Sequence, residues 1–183
     1  VGSYNLVIND SISNAFISKL DKDGNFLWAK HLKGGWQWCY SSALDKNGNV
    51  FTTGYFARTL DFDPGPGEYN LSTTGFDIFV SKLNSNGDFV WAKQMGGTAR
   101  VISNSITVDT AGTIYTTGYF FSGQVDFGPG PGTYYLDSGD DENLFVHKMG
   151  QCRGSTSSFI TASACNNYIL NGQTYTASGL YTQ

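Results

Sequence analysis

The segment Phe16-Ile-Ser-Lys-Leu20 recurs as Phe79-Val-Ser-Lys-Leu83 and again as Phe145-Val-His-Lys-Met149, at spacings of 63 and 66 residues. Further blocks return once each, in the same order: Trp28-Ala-Lys30 at 91–93, Thr52-Thr-Gly-Tyr-Phe56 at 116–120 and Asp61-Phe-Asp-Pro-Gly-Pro-Gly67 at 126–132. Self-similarity at a fixed period is typical of repeat architectures. The chain is therefore built from copies of one unit.

Each unit contains four short apolar segments separated by clusters of Asp, Asn and Gly. The cluster Asp21-Lys-Asp-Gly-Asn25 lies between the segments 16–20 and 26–30, and a second cluster, 45–49, lies between the remaining two segments. Such clusters supply the positive φ angles that tight hairpin turns require. The sequence therefore predicts an all-β fold made of four-stranded antiparallel repeats of 63 to 66 residues.

The predicted strands lack a clean apolar/polar alternation. Phe51 and Tyr55 lie on one face of the strand that starts at Val50, whereas Val50 and Phe56 lie on the other. Both faces of the sheet are then expected to be covered, as in blades stacked around an axis. A solenoid is the structural rival, but its units usually repeat every roughly 20 to 50 residues. The pattern favours β-propeller blades.

The set of motifs resembles the bacterial β-propeller repeat of exported surface proteins, often called the SBBP repeat. The resemblance covers residues 1–149 and rests on the Phe-Ile/Val-Ser-Lys-Leu, Trp-Ala-Lys, Thr-Thr-Gly-Tyr-Phe and Asp-Phe-Asp-Pro-Gly blocks together. It implies a propeller, secretion, and a location outside the cell or on its surface. It implies no shared catalytic residues.

The repeats are expected to form a partial array. The opening residues 2–6 match residues 67–71, so the first residue is expected to fall within an earlier copy. Residues 1–149 are then a partial blade, two full units and the start of the next. From residue 150 the composition shifts to Ser, Thr, Asn and Gly, and residues 150–183 are predicted to be a linker and a truncated small β module. This tail resembles the short Cys- and Tyr-containing repeats of large secreted adhesin-like proteins.

Composition and charge exclude several functions. The net charge is −4, and Lys and Arg are scattered rather than clustered, so nucleic acid is not an expected partner. No apolar run approaches the roughly 20 residues that span a bilayer, so membrane insertion is not expected. The three cysteines are an odd number; Cys152 and Cys165 are candidates for a disulfide, and a partner beyond residue 183 is the alternative.

Two acidic clusters are candidates for a calcium site. Asp21, Asp23 and Asn25 alternate around a glycine, as oxygen ligands of a hard cation do, and Asp61 and Asp63 precede a Pro-Gly-Pro-Gly loop. The first cluster lacks the bidentate Glu of the full calcium loop, and the second loses one Asp in the next copy. Turn formation is the favoured interpretation of both, so no metal or other cofactor is expected.

The candidate ligand-binding residues are those that the copies do not share. Trp36, Trp38 and Tyr40 are expected to lie in a connector, where the next unit carries Arg100 among smaller residues. Connectors on a propeller face are places where binding residues accumulate, and flat rings suit sugar or peptide surfaces. Burial against a neighbouring loop is the competing interpretation and the favoured one, because large aromatic side chains are usually packed. Trp28 and its counterpart in the next copy recur, so they are expected to pack between blades.

No sequence motif of a common enzyme mechanism is present, and the sialidase box of some propellers does not fit the Asp21–Trp28 segment. The sequence therefore favours a non-catalytic binding or display module of a secreted, multi-domain surface protein, adhesin-like in character. A purely structural spacer is the alternative, and a fragment of a propeller glycosidase ranks third. Expected partners are further blades and domains of the same parent chain and a glycan or protein ligand.

Overall fold

The computed structural model describes residues 15–150 and the backbone of two short strands, Tyr168–Leu170 and Gln173–Tyr175. The chain divides into two compact units, Val1–Gln151 and Cys152–Gln183. Every regular element of the described residues is a β-strand. The match at residues 2–6 and the disulfide candidates Cys152 and Cys165 lie outside the described residues.

The first complete blade is an antiparallel meander of four strands. They are β3 (Lys33–Leu44), β4 (Val50–Asp61), β5 (Asn70–Leu83) and β6 (Phe89–Gly97), and they pair in that order. The four-stranded antiparallel unit predicted from the repeat is therefore confirmed. Two strands precede it as a hairpin, β1 (Phe16–Leu20) and β2 (Phe26–His31).

The second blade has three strands within the described residues, and they follow the pairing of the first blade. Strands β7 (Arg100–Val108), β8 (Ile114–Phe121) and β11 (Glu142–Met149) form one sheet in the order β11-β8-β7. The chain between β8 and β11 forms a hairpin of β9 (Gln124–Asp126) and β10 (Tyr135–Asp137), which extends the sheet of the first blade beyond β6 to six strands. In the second compact unit, β12 (Tyr168–Leu170) and β13 (Gln173–Tyr175) pair as a short antiparallel hairpin.

Each blade has a two-stranded extension, which we call its arm. The arm pairs with residues at the start of that blade or just before it. In the second blade the arm is the β9–β10 hairpin, and residues 125–126 pair with residues 96–97 at the end of β6. In the first blade the arm is the far half of β4 and the near half of β5, and residues 60–61 pair with residues 33–34. The arm of the second blade therefore links that blade to the first through backbone pairing.

Apolar side chains cover both faces of the first blade, as the blurred alternation predicted. One face carries Phe56, Phe79 and the side chains packed with them, and the other carries Phe51, Ile78 and Val80. The second face packs against β7, whose Val101 and Ile102 belong to the same cluster. The two blades therefore share one continuous apolar core.

Candidate functional site

The predicted aromatic residues lie in a strand, so their assignment to a connector was wrong. Strand β3 begins at Lys33, before all three of these residues, and pairs with β4 along its length. Gly34 and Gly35 have positive φ angles of 77° and 52°. In the structure these glycines form a bulge inside the ladder, where an added Cβ on Gly35 would lie 2.9 Å from the Ala57 carbonyl oxygen.

Trp36 presents its ring to solvent and to an arginine. Its side chain is 37% exposed, and the guanidinium carbon of Arg58 lies 4.7 Å from the ring centroid. The Trp38 ring meets it edge-on, with centroids 6.5 Å apart. An arginine over an exposed indole contributes about 0.5 to 1 kcal/mol. The stack holds both side chains at the surface without burying either.

Trp38 has a second role in packing. It is partly buried and stacks on Tyr55, with ring centroids 4.6 Å apart, and its ring also contacts Phe76. These contacts join it to the core cluster that the two blades share. Trp38 therefore lies between the exposed Trp36 ring and the core, and it contacts both.

Tyr40 and Arg100 lie on the same surface. Tyr40 is 51% exposed and approaches Tyr55 with ring centroids 5.8 Å apart. Partial burial and the Tyr55 hydroxyl raise the pKa of Tyr40, and the positive charge of Arg100 acts in the opposite direction. Arg100 begins β7, with its guanidinium carbon 5.5 Å from the Phe76 ring and 5.6 Å from the Phe121 ring.

The structure thus places the four predicted residues in one connected array, which we call the aromatic–arginine surface. It consists of Trp36, Trp38, Tyr40, Tyr55, Arg58, Phe76, Arg100 and Phe121. Sequence comparison missed Arg58, because it follows a block that recurs in both copies. The alignment of Phe56 with Phe120 places Ser122 opposite Arg58, and this difference was the available signal.

The backbone at Arg58 does not explain why the residue is arginine. Arg58 and Ser122 are the two non-glycine residues with positive φ among the described residues, at 68° and 59°. Because both copies share it, this left-handed conformation belongs to the blade, where β4 bulges before entering its arm. A side chain larger than glycine is unfavourable in that conformation. The backbone conformation therefore does not account for an arginine at position 58, whereas the contact of its side chain with Trp36 does.

Neither arginine of this surface is neutralised within the described part of the chain. The ion pair found there is Lys22–Asp23, at 2.8 Å in the first hairpin turn. The guanidinium groups of Arg58 and Arg100 contact ring faces, which leaves their N–H donors directed elsewhere. In a chain of net charge −4, this surface combines exposed rings with two uncompensated positive charges.

The first calcium candidate is organised as a hairpin turn. Asp21 Oδ1 accepts the backbone N–H groups of Asp23 and Asn25 at 2.9 and 2.8 Å, and Oδ2 accepts the Asn25 side-chain amide. The Asn25 hydrogen bonds lower the pKa of Asp21. The next turn is built identically around Asp45. The carboxyl oxygens of Asp21 and Asp45 therefore accept hydrogen bonds from amide groups of their own turns.

The second calcium candidate organises the tip of an arm. Asp61 Oδ1 accepts the backbone N–H groups of Asp63 and Tyr69, and Asp63 Oδ1 accepts that of Gly65. Asp126 makes the equivalent pair of bonds in the next copy. Asp61 and Asp63 therefore lie in a different loop from Asp21, and among the described residues no three His, Cys, Asp or Glu side chains are grouped as metal ligands.

The recurrent tryptophans pack in the structure. Trp28, on β2, donates its indole N–H to the carbonyl oxygen of Ser85, in the β5–β6 turn of the following blade, at 3.0 Å. Trp91 meets Phe51 edge-on and belongs to the shared core. Cys39 is a free thiol whose pKa is raised to about 12 by burial, so it is not a nucleophile at neutral pH.

Comparison with known proteins supports the repeat type. A family model described as a beta-propeller repeat (SBBP) matches residues 90–119, which run from β6 to β8 across the junction of the two blades. A second model, described as a sperm-tail PG-rich repeat, matches residues 128–159, starting at the Pro-Gly-rich tip of the second arm. The chain is also 28% identical, over 150 residues, to an uncharacterized WD repeat-containing protein of Acanthamoeba polyphaga mimivirus.

That alignment covers 74% of this chain and 11% of the viral protein, so the chain spans about a tenth of that relative's length. No helix among the described residues has the length and apolar character needed to cross a bilayer. The antiparallel blades, the repeat match and the relative agree on a repeat of the β-propeller type, which points to a non-enzymatic protein-interaction or structural module.

Proposed function

We propose that this chain is a non-catalytic binding module of an exported bacterial surface protein, adhesin-like in character, and that it recognises its ligand through the aromatic–arginine surface. The observation that carries the proposal is the Trp36–Arg58 stack, which is exposed at positions where the next copy has other residues. Secretion and a bacterial surface location rest on the resemblance of the motifs to the SBBP repeat.

Comparison of the two copies distinguishes residues that the fold requires from residues that are available for ligand recognition. A residue that blade geometry requires should recur, as Trp28 and Trp91 do. Trp36 does not recur, and its ring is only partly covered by its neighbours. Large aromatic side chains lose favourable free energy when they are left in water, so an exposed, non-recurring indole is better explained by a ligand that covers it.

The chemistry of the surface favours a glycan or a peptide as the ligand. Flat rings such as those of Trp36 and Tyr40 provide contact area at a low cost in side-chain entropy. Arg58 and Arg100 offer planar arrays of N–H donors that match carboxylate and hydroxyl oxygens. Tryptophan, tyrosine and arginine are also the residues that most often dominate the energy of protein interfaces.

Further blades of the same parent chain are the other proposed partners. The terminal strands of the described unit expose apolar side chains, with Leu144 on β11 83% exposed and Phe16 on β1 62% exposed. In the interior of the array such side chains would be covered, as those of β4 are. Neighbouring blades are the occupants that the repeat itself specifies.

A matched pair of variants tests the recognition surface. The chain is screened against glycan and peptide arrays, and each hit is measured again with Trp36→Ala and with Tyr69→Ala. Tyr69 is the control because its side chain is also 37% exposed and stacks on another ring, Phe89, but lies on an arm. We expect Trp36→Ala to weaken binding at least tenfold and Tyr69→Ala to leave it within twofold.

The same screen evaluates the structural spacer as the alternative function. Binding that is lost equally in both variants, or retained in both, would contradict the proposed surface. An absence of hits in every array would favour the spacer, whose blades would only hold other domains apart. Circular dichroism of each variant shows whether a loss of binding accompanies a loss of fold.

A further inference from the structure

A cleft of about 560 Å³ lies on the first blade, and none of the residues of the aromatic–arginine surface lines it. Three elements form it: the near half of β5, the end of β6 and the arm of the second blade. Its lining consists of Ser72, Thr73, Thr74, Asp77, Gln94, Met95, Gly96, Gly97, Asp126, Gly128 and Tyr135. Its volume is in the range of clefts that hold small organic ligands.

The cleft opens where β6 changes its partner. The β5–β6 ladder runs from Leu83 to Ile78, which pairs with Met95. The next residues of β6, 96–97, pair instead with residues 125–126 of the second arm. Strand β5 continues from Asp77 into the first arm, so the two arms diverge on either side of β6 and leave a gap between them.

Asp77 forms the floor of this gap without a full set of partners. Its side chain is only 5% exposed, and Oδ2 accepts the Gln94 side-chain amide at 2.6 Å. The other oxygen, Oδ1, is buried and no hydrogen bond of good geometry reaches it from the described residues, although the Thr73 hydroxyl and the Gly97 N–H group approach the carboxyl group. Burial raises the pKa of Asp77, although Gln94, Thr73 and Gly97 act in the opposite direction. A buried carboxyl oxygen without a donor is unfavourable and points to an absent partner.

The blade does not require an acid at this position. The recurrence of Phe79 as Phe145 places Asn143 opposite Asp77 in the second copy. The Asn143 amide donates to the Ser138 carbonyl oxygen at 3.3 Å, so a neutral residue satisfies the scaffold there. Gly96 is fitted to the acid, since an added Cβ would collide with the Asp77 carboxyl group.

The charged residues that line the cleft indicate which class of ligand it binds. Two carboxyl groups, those of Asp77 and Asp126, line the cleft, and no Lys or Arg does. Ser72, Thr73 and Thr74 also line the cleft, although the Ser72 hydroxyl pairs with that of Thr59 and the Thr73 hydroxyl accepts the Gly75 N–H group. The cleft is far larger than a single bare ion requires, and its two carboxyl groups are fewer than a calcium site uses. An organic cation fits both its charge and its size.

We propose that this cleft binds an organic ammonium group, with the Asp77 carboxylate as its counter-charge. The site is distinct from the aromatic–arginine surface and does not depend on the proposed function.

The test compares two probes of equal length, 1,5-diaminopentane and 1,5-pentanediol, by ¹H–¹⁵N NMR titration of the full ¹⁵N-labelled chain at constant ionic strength. The reporters are the backbone amide signals of Gly96 and Gly97, which lie in the cleft wall. We expect the diamine to shift these signals in a saturable manner and the diol to bind at least tenfold more weakly. Equal affinities, or no saturable shift with the diamine, would overturn the proposal.

Two substitutions of the same chemistry locate the charge. Asp77→Asn introduces the residue that the second copy carries at this position, and we expect it to weaken diamine binding at least tenfold. Asp140→Asn removes the same charge from an exposed turn and should change the affinity less than twofold. Unchanged binding by Asp77→Asn, or the same amide shifts with calcium chloride in place of the diamine, would refute an ammonium site.

Discussion

A pair of buried hydroxyl groups crosses from one blade to the next and allows their contact to be measured. Thr53 Oγ1, on β4, lies 2.7 Å from the Phe79 carbonyl oxygen and 2.8 Å from Ser103 Oγ, on β7. Both side chains are fully buried. Thr53→Val keeps the shape of the side chain but removes this hydroxyl, and Ser103→Ala removes its partner.

The expected magnitudes follow from what each change leaves unpaired. Thr53→Val leaves the buried Ser103 hydroxyl without its partner. It should therefore lower the free energy of unfolding by about 1 to 3 kcal/mol. Ser103→Ala leaves Thr53 bonded to the Phe79 carbonyl and should cost about 1 kcal/mol. The double variant should cost less than the sum of the two by about 1 kcal/mol, because it removes donor and acceptor together.

Urea unfolding of the full chain, followed by tryptophan fluorescence, measures the three free energies. The control is a second Thr–Ser pair, Thr59 and Ser72, whose hydroxyl oxygens lie 2.9 Å apart on the exposed arm of the first blade. Thr59→Val and Ser72→Ala should each change stability by less than about 0.5 kcal/mol. Additivity of Thr53→Val and Ser103→Ala within about 0.3 kcal/mol would refute the contact between β4 and β7.

Three further predictions concern the stability that Trp36 and Trp38 contribute, the effect of calcium, and the loss of stability at acidic pH. Trp38→Ala should lower the unfolding free energy by about 2 to 3 kcal/mol and Trp36→Ala by less than about 1, and equal losses in urea unfolding would contradict their different burial. Calcium should leave the melting temperature unchanged relative to EDTA; a chelator-reversible gain near 2.7 kcal/mol, expected at a hundred times the dissociation constant, would contradict the turn interpretation. The lowered pKa values of Asp21 and Asp109 stabilise the fold above their unfolded value near 3.8, and this stabilisation is lost as pH falls through the folded values. Asp109→Asn gives this turn the residue type that Asn84 has in the similarly hydrogen-bonded β5–β6 turn, and it should reduce the loss of stability at acidic pH; an unchanged loss would argue against it.

The repeat made the blade predictable because recurring residues carry out its packing. The predicted segment 16–20 coincides with β1, and the Asp-x-x-Gly-Asn clusters form the hairpin turns. Phe51 and Phe56 face opposite clusters, as their spacing indicated. These features depend on local turn chemistry and on side-chain period, which one sequence displays directly.

The arms and the cleft were not predictable in the same way. The partner of residues 96–97 is a segment about thirty residues later, and nothing in the local pattern of either segment specifies that pairing. Likewise residues 36–40 were expected to lie in a connector, whereas pairing with β4 places them in β3, after a bulge at Gly34 and Gly35. Arg58 and Asp77 became candidates only after the structure placed a ring beside one and a gap beside the other.

Analytical ultracentrifugation of the chain over a wide concentration range tests most directly whether these blades are part of an open propeller array. The exposed apolar residues of β1 and β11 should make the chain associate reversibly as its concentration rises. Replacing Leu144 and Val146 together by Asp should shift this association to higher concentration. A chain that remains monomeric throughout the range and unfolds in one cooperative transition would contradict the open array.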